Sequence, residues 1–208
     1  MGKEKIWDKL DYLNLYGIDL DNATITYAAD IDSVFSLLMR IKIEILKKYW
    51  KEELKQTLRE VNLILCSPGG DANSLFSVAD MYDFYEKENI KINVLVEGIC
   101  YSAATFIIGN ASGKRRATKR TRFMIHELQI SSLEGTATQT KSTQKEIDFI
   151  QEEALRFYCE LYIKKNFNSP LKEKEEKEVN AKIDYLMKKE TYLSAQEALE
   201  IGLIDEII

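Results

Sequence analysis

The sequence has only one histidine, two prolines and three cysteines among its 208 residues. A single histidine, His126, rules out a metal site built from several histidines. The three cysteines match no metal-binding spacing and are expected to be free thiols in a reducing cytoplasm. No apolar run approaches the roughly 18 residues of a membrane span, and the N-terminal residues lack the apolar core of a signal peptide. These absences predict a cytoplasmic protein without a metal, a cofactor or a membrane partner.

The composition shows no clear boundary between domains. Prolines are scarce, no low-complexity linker is present, and hydrophobic residues make up 45% of the chain, with charges interspersed among them. This composition predicts a single domain over residues 1–208, in which residues 1–22 form an N-terminal segment. The net charge of −5 argues against a nucleic-acid partner, because the surface that binds nucleic acid would be basic.

Short β-branched runs alternate with helical patterns along the chain. Helices separate the predicted strands, which lie at 23–28, 61–66, 92–96 and 122–126. This alternation predicts parallel strands joined by helical crossovers, and hence an α/β fold whose sites lie beyond the carboxyl ends of the strands. Gly69, Gly70 and Ser102 each follow such an end, so we expect them to face one cleft.

Helix signals mark much of the remaining sequence. One helical pattern runs from 34 to about 58, and a capping box at 143–146 opens a long helix whose apolar stripe, 147–161, could serve a subunit interface. The charge-dense segment 164–182 predicts a solvated helical or mobile excursion. A further capping box at 194–197 opens a short helix before the last strand.

Basic residues cluster at 114–116 and 119–120, after a glycine turn at Gly113. Such a cluster can indicate phosphate binding. In an acidic chain, however, a solvated turn is the better interpretation.

The segment 92–106 carries the clearest functional signal. A buried strand is broken at Gly98, and Ser102 follows at the start of a helix-compatible stretch. Backbone N–H groups at a helix start could stabilise an oxyanion, which would suit a nucleophilic serine. The same features describe a helix N-cap. Cys100 is a weaker candidate for a nucleophile, because strand alternation points its side chain inward. The local pattern leaves both roles of Ser102 open.

A diglycine loop, a serine at a strand-to-helix turn and a histidine at a strand end are the parts that acyl transfer requires. The serine attacks a carbonyl carbon, the histidine takes the serine proton and returns it to the leaving group, and backbone N–H groups hold the oxyanion. Glycines suit the last role because no Cβ blocks the approach of the substrate. Any imidazole base for Ser102 can only be His126, the single histidine.

In this order the motifs resemble the proteolytic subunit of the Clp protease, the ClpP family, over about residues 23–208. The segments that carry the resemblance are Ser-Pro-Gly-Gly at 67–70, Gly98 with Ser102, Gly-Lys-Arg at 113–115 with Met-Ile-His at 124–126, Gly-Thr-Ala-Thr at 135–138, and Leu-Ser-Ala-Gln-Glu-Ala at 193–198 with Gly-Leu-Ile-Asp at 202–205. Each motif alone is weak, but their shared order is specific.

The resemblance implies the ClpP/crotonase fold, an α/β spiral of ββα units with a protruding helical handle at 127–165. It also implies that Ser102 is the nucleophile and His126 the general base. The backbone N–H groups of Gly70 and Ala103 would form the oxyanion hole.

The third member of the implied triad departs from the family pattern. The family has an aspartate three residues before its Leu-Ser-Ala segment, and this chain has Glu190 there. A glutamate is one methylene longer and can still accept the imidazole N–H. Asp184, or no acid at all, are the alternatives.

The implied function is that of a serine endopeptidase that hydrolyses peptides or proteins inside a homo-oligomeric ring, a heptamer or a stacked double ring. A changed N-terminal segment and a longer 164–182 region leave the docking of an unfoldase ATPase open. They fit a divergent member of the family, such as one encoded by a phage. Two other functions stay open: a catalytically silent ClpP-like subunit that partners an active protease, and a crotonase-like acyl-CoA enzyme.

Overall fold

A computed structural model describes residues 8–129 and 135–208. Within these residues the helices are α1 (Lys9–Tyr16), α2 (Phe35–Glu52), α3 (Ser74–Lys87), α4 (Ala104–Gly109), α5 (Ala137–Asn166), α6 (Glu173–Lys188) and α7 (Ala195–Glu200). The strands are β1 (Ile18–Asp19), β2 (Thr24–Ala28), β3 (Glu60–Ser67), β4 (Lys91–Tyr101), β5 (Arg115–Ala117), β6 (Arg122–Ile125), β7 (Thr191–Ser194) and β8 (Glu206–Ile207). The architecture is mixed α/β, as the resemblance implies.

The strands form one sheet with the order β1-β2-β3-β4-β5-β8. Neighbours along this order pair in parallel, except that β1 runs antiparallel to β2 at the edge. In β3, the buried residues Val61, Leu63 and Leu65 alternate with more exposed ones, which is the two-residue period of a strand. The prediction of parallel strands joined by helical crossovers is confirmed.

The long strand β4 changes its partner near Gly98. Residues 94–96 pair with β5, whereas residues 99–101 pair with β6. Gly98 has a φ of 81°, a left-handed conformation that glycine adopts without steric strain. On its other side β6 pairs with β7, in the antiparallel direction. The end of β4 therefore lies beside the end of β6, the strand that precedes His126.

Amphipathic helices cover the sheet. The buried face of α2 repeats every three or four residues and consists of Phe35, Met39, Ile43 and Leu46. The longest helix, α5, packs against α6 and buries Ile150, Ala154 and Tyr158. None of the helices within residues 8–129 and 135–208 combines the length and the apolarity needed to cross a membrane.

The helix α2 is shorter than predicted. It ends at Glu52 rather than near residue 58, and Leu58 packs into the hydrophobic core instead. Lys55 adopts a φ of 56°, which no α-helix contains. The polar residues 51–56 offer little apolar surface to bury, so nothing favours a further turn of helix.

The helix α5 begins earlier than predicted. Its N-cap is Thr136, whose hydroxyl accepts the N–H of Gln139, and the Gln139 side chain accepts the N–H of Thr136 in return. The capping box predicted to begin at Thr143 is wrong, because the Thr143 hydroxyl donates to Gln139 O inside the helix. Residues 130–134, part of the predicted handle 127–165, lie outside the described residues.

The helix α6 accounts for most of the charge-dense segment 164–182. Its first turns are exposed, whereas Val179, Ile183 and Met187 are buried. Val179 is the only buried residue of 164–182, so the prediction of a solvated helical excursion agrees with the structure. The rest of α6, beyond residue 182, packs on the core through Ile183 and Met187 and leads directly into Glu190 and β7.

One member of the basic cluster is not solvated. Arg115 lies in β5 and is only 9% exposed. Its Nε donates to Asp205 Oδ2 at 3.0 Å, and another guanidinium nitrogen donates to Gly202 O at 2.8 Å. For Arg115 the interpretation as a solvated turn is wrong. Burial raises the pKa of Asp205, but the hydrogen bonds and the charge of Arg115 outweigh it and hold that pKa below 3.8.

We expect Asp205→Asn to lower the free energy of unfolding at pH 7 by about 1–2 kcal/mol, because the buried guanidinium loses its charged partner while the half-exposed carboxylate is partly screened. Since the folded-state pKa of Asp205 is depressed, its contribution is present above pH 3.8 and is lost as the pH falls through the folded-state value. Urea unfolding between pH 7 and pH 3 measures this loss.

The control is Glu178→Gln, which removes an exposed pair with Lys174. This variant should stay within about 0.5 kcal/mol of the wild-type stability at every pH. An Asp205→Asn variant no less stable than Glu178→Gln would contradict a structural role for the buried pair.

Candidate active site

Three parallel strands end at the same edge of the sheet, and a candidate residue follows each of them. The diglycine loop with Gly69 and Gly70 follows β3, Ser102 follows β4, and His126 follows β6. Because β3, β4 and β6 run parallel to one another, their carboxyl ends meet. The structure brings Gly70, Ser102 and His126 to one cavity. For Gly70 and Ser102 this agrees with the expectation drawn from their places after strand ends.

The hydroxyl of Ser102 contacts the only imidazole of the chain. Ser102 Oγ lies 2.6 Å from His126 Nε2, and both side chains are partly exposed. The N-cap position of α4 belongs to Ala103 and carries no side-chain cap bond, so Ser102 does not cap this helix. Ser102 also has a φ of 52°, uncommon for a residue with a Cβ and frequent at functional sites. Of the two roles that the pattern left open, the geometry favours the nucleophile.

The environment of His126 favours the neutral form of its imidazole at pH 7. Burial lowers the pKa of His126 below its ordinary value of 6.5, while the negative charge of Glu190 acts in the opposite direction. For Ser102 Oγ to donate its proton, Nε2 must be unprotonated, and the ring proton of the neutral form must then be on Nδ1. This is the state that a general base needs.

The glycine loop packs directly against the Ser102 turn. A methyl group on Gly69 would lie 2.6 Å from Tyr101 O and 2.7 Å from Ser102 Cβ, so only a glycine fits. Gly70 forms a bridge with Ile31, in which Ile31 N–H donates to Gly69 O and Asp71 N–H donates to Ile31 O. This bridge does not use the N–H of Gly70, which remains available to a ligand.

The N–H of Ala103 is available for a similar reason. The hydrogen bonds of α4 begin with Thr105 N–H to Ser102 O and Phe106 N–H to Ala103 O. The first N–H groups of a helix have no partner within the helix. Together with Gly70 this gives two N–H donors that no residue of the described chain occupies, and both residues line the cavity of Ser102.

Glu190 lies next to His126 because of the register between β6 and β7. Ile125 pairs with Thr191, so the residues one step beyond this pair are His126 and Glu190. Glu190 is exposed and has a φ of 49° at the turn between α6 and β7. Its carboxylate accepts a hydrogen bond from Tyr192 Oη at 3.2 Å. No hydrogen bond between Glu190 and His126 occurs among the described residues, and their interaction is through charge alone.

Asp184, the alternative acid, is engaged elsewhere. Its carboxylate pairs with Lys188 Nζ at 2.7 Å, one helical turn along α6. Burial raises the pKa of the Cys159 thiol, and the charges of Glu160 and Asp184 add to this effect. The charge that acts on the imidazole of His126 is that of Glu190. The electrostatics therefore favour Glu190 over Asp184 as the acidic neighbour of His126.

The cavity beside the serine and the histidine has a volume of about 920 Å³. Its walls come from the glycine loop, the start of α4, the segment after β6 and the inner face of α5. The apolar part of the wall contains Phe106, Met124, Ile150 and Ala154. A cavity of this size, with an apolar wall beside the hydroxyl, accommodates an apolar group of a ligand.

The sequence patterns miss two further contacts at the site. The Tyr192 hydroxyl donates a hydrogen bond to Glu190. The Tyr192 ring lies edge-on to that of Tyr101 at a centroid distance of 5.6 Å. Glu190 precedes β7 in a left-handed turn, so strand alternation does not extend to it and no local pattern reveals this contact. Buried Thr105 and Tyr158 form a hydroxyl pair that no local pattern indicates. The described residues contain no group of three or more His, Cys, Asp or Glu that could hold a metal ion.

Comparison with known proteins gives consistent matches. A family model described as Clp protease matches residues 37–208, which include every candidate residue of the site. The ATP-dependent Clp protease proteolytic subunit 1 of Protochlamydia amoebophila is 30% identical over 167 residues, which cover 79% of this chain and 73% of that protein. The ATP-dependent Clp protease proteolytic subunit 2 of Bacillus licheniformis is 24% identical over 151 residues, which cover 72% of this chain and 70% of that protein.

The pKa of His126 can be measured directly, because the chain has no other histidine. We expect a value below 6.5, since burial disfavours the imidazolium. In Glu190→Gln the value should fall further, because this substitution removes the charge that stabilises the imidazolium. An NMR titration of protein labelled with ¹³C-histidine measures both values.

Asp184→Asn is the matched control, since it removes one carboxylate of α6 that pairs with Lys188. It should leave the pKa of His126 unchanged. A His126 pKa that responds to Asp184→Asn and not to Glu190→Gln would contradict the assignment of Glu190 as the neighbouring acid.

Proposed function

Because the chain belongs to the Clp protease family, we propose that it is a serine endopeptidase of the ClpP type. Ser102 is the nucleophile and His126 the general base. The observation that carries the proposal is the 2.6 Å contact between Ser102 Oγ and the only imidazole of the chain. A cavity that also contains two available backbone N–H groups supports it.

The chemistry follows from this geometry. Ser102 Oγ attacks the carbonyl carbon of a peptide bond while His126 Nε2 takes the hydroxyl proton. The N–H groups of Gly70 and Ala103 donate to the oxygen that becomes negatively charged. His126 then gives the proton to the departing amine, which leaves an acyl-enzyme. A water molecule then attacks the acyl-enzyme while His126 takes its proton. His126 returns that proton to Ser102 Oγ as the carboxylic acid is released.

Glu190 is the proposed acid of the site. Its negative charge favours the imidazolium that forms when Ser102 loses its proton. Because the carboxylate is exposed and bonded to Tyr192, its effect on His126 is weaker than that of a buried acid hydrogen-bonded to the imidazole. Asp184 is not proposed for this role, because it pairs with Lys188.

We further propose that the chain works as a homo-oligomeric ring that acts on peptide or protein substrates. Proteins of the ClpP family typically form oligomeric rings. An exposed apolar surface on α2, formed by Leu37, Leu38 and Ile41, supports association between copies. Within a closed ring, access to the chamber would select substrates before the cavity does.

A fluorophosphonate probe tests the nucleophile. We expect the probe to form an adduct on Ser102, which peptide mapping by mass spectrometry locates. Ser102→Ala should abolish the adduct, and His126→Ala should slow its formation by roughly 10²–10⁴-fold, the usual contribution of a general base. The same substitutions should abolish or slow peptide hydrolysis.

Two outcomes contradict this proposal. Wild-type protein that is folded and assembled but forms no adduct would favour a catalytically silent subunit. An adduct that persists in Ser102→Ala would place the reactive group elsewhere. Ser112→Ala serves as the control, because the Ser112 hydroxyl bonds Ile92 N–H away from His126 and should not affect labelling.

Glu190→Gln tests the acid through turnover. We expect kcat for a peptide substrate to fall roughly tenfold, less than the loss of a buried triad acid would cause, because Glu190 is exposed. Size-exclusion chromatography should show an unchanged assembly. Turnover equal to that of the wild type would remove Glu190 from the triad, and a fall in Asp184→Asn instead would transfer the role to Asp184.

A further inference from the structure

A pair of buried hydroxyl groups connects the helix α5 to the turn that holds Ser102. Thr105 Oγ1 lies 2.6 Å from Tyr158 Oη and also 2.6 Å from Ser102 O. Thr105 is fully buried and Tyr158 is 3% exposed. The side chain of Thr105 thus links the backbone carbonyl of Ser102 to Tyr158 on α5, which follows Ser102 by 56 residues.

The direction of these bonds follows from proton counting. The Thr105 hydroxyl has one proton, and Ser102 O is a carbonyl that can only accept it. Tyr158 must therefore donate to Thr105 Oγ1. Burial raises the pKa of Tyr158, so its phenol keeps the proton that it donates. The result is one relay of donors from Tyr158 through Thr105 to the carbonyl of Ser102.

The carbonyl of Ser102 is one of two anchors of this strained residue. Its N–H donates to Met124 O at 2.8 Å, and its carbonyl accepts both the N–H and the hydroxyl of Thr105. A residue with a φ of 52° has an unfavourable backbone conformation, so neighbouring bonds must hold it there. The hydroxyl of Thr105 is oriented in turn by Tyr158.

We propose that Tyr158 is a positioning residue, which holds the Ser102 turn in its reactive conformation through the hydroxyl of Thr105. This inference rests on the proposed peptidase function and extends it to a residue of α5 that touches neither the hydroxyl of Ser102 nor His126. It also couples the nucleophile to α5, the helix whose Ile150 and Ala154 line the same cavity.

The test is Tyr158→Phe, which removes only the phenol oxygen and keeps the ring that packs against Phe106 and Phe157. We expect kcat for a peptide substrate to fall about fivefold, the equivalent of one hydrogen bond, while KM changes by less than about twofold. The rate of fluorophosphonate labelling of Ser102 should fall by the same factor. Both are measured on protein with wild-type assembly, far below its melting temperature.

Substitutions at Thr105 test the same relay from its other end. Thr105→Val has a similar shape without the hydroxyl and should slow labelling at least as much as Tyr158→Phe. Thr105→Ser keeps the hydroxyl and should restore most of the wild-type rate. The double variant Tyr158→Phe/Thr105→Val should be no slower than Thr105→Val alone, since both changes interrupt one relay.

The matched control is Tyr85→Phe. Tyr85 is equally buried, and its hydroxyl donates to Arg40 O at 3.2 Å, between α3 and α2. Its hydroxyl also lies 3.5 Å from Glu44 Oε1, so the variant loses the hydrogen bonding of one partly buried phenol. It should lower the melting temperature without changing kcat or the labelling rate. A purely structural role of Tyr158 would give the same result for Tyr158→Phe.

The outcomes separate this inference from the proposed function. Wild-type protein that neither hydrolyses peptides nor labels at Ser102 would overturn the function itself. Wild-type protein that labels, with Tyr158→Phe labelling at the same rate, would overturn only the role of Tyr158. A raised KM with unchanged kcat in Tyr158→Phe would also overturn it, because Tyr158 would then act as a wall of the cavity.

Discussion

The hydrogen-bonded ladder between the end of β4 and β6 sets the distance between the hydroxyl and the imidazole. Tyr101 pairs with Met124, and Ser102 N–H continues the ladder by donating to Met124 O. The side chains of Ser102 and His126 therefore extend from adjacent backbone segments whose positions the ladder fixes. Little conformational freedom remains to be lost when Oγ meets Nε2, which is the advantage of a site built on strands rather than on free loops.

This ladder ends in a backbone conformation that is unfavourable by itself. A non-glycine residue at positive φ costs on the order of 1–3 kcal/mol, whereas each hydrogen bond to the Ser102 backbone contributes about 1 kcal/mol. The two terms are comparable, so the turn persists because several bonds act together. Gly69 adds the close packing that a side chain would prevent. The diglycine loop and the serine turn thus form one packing unit.

Local periodicity predicted most strands, because the alternation of buried and exposed residues depends only on the residues of that strand, as in β3. That Gly70 and Ser102 face one cleft followed from a topological rule on parallel strands and needed no distances. The place of His126 beside Ser102 was implied by the family resemblance instead. Contacts between distant segments were not predictable in this way. Arg115 finds Asp205 90 residues away, and Glu190 becomes the neighbour of His126 only through the register of β6 with β7. The start of α5 was missed because Thr143 and Glu146 have the spacing of a capping box, whereas the helix uses the exposed capping box of Thr136 and Gln139.

The charge balance around His126 is consistent with the role proposed for the exposed Glu190. A strong acid buried against the imidazole would raise its pKa and make the base stronger, but it would also reduce the fraction of neutral imidazole at a given pH. Here burial lowers the pKa of His126 more than Glu190 raises it, so the neutral base predominates at neutral pH. Water around the exposed carboxylate weakens its field in the resting state. The same carboxylate gains importance when the imidazolium forms, because a full positive charge then faces it. An acid of this kind contributes mainly to the transition state, the only point at which an interaction accelerates the reaction.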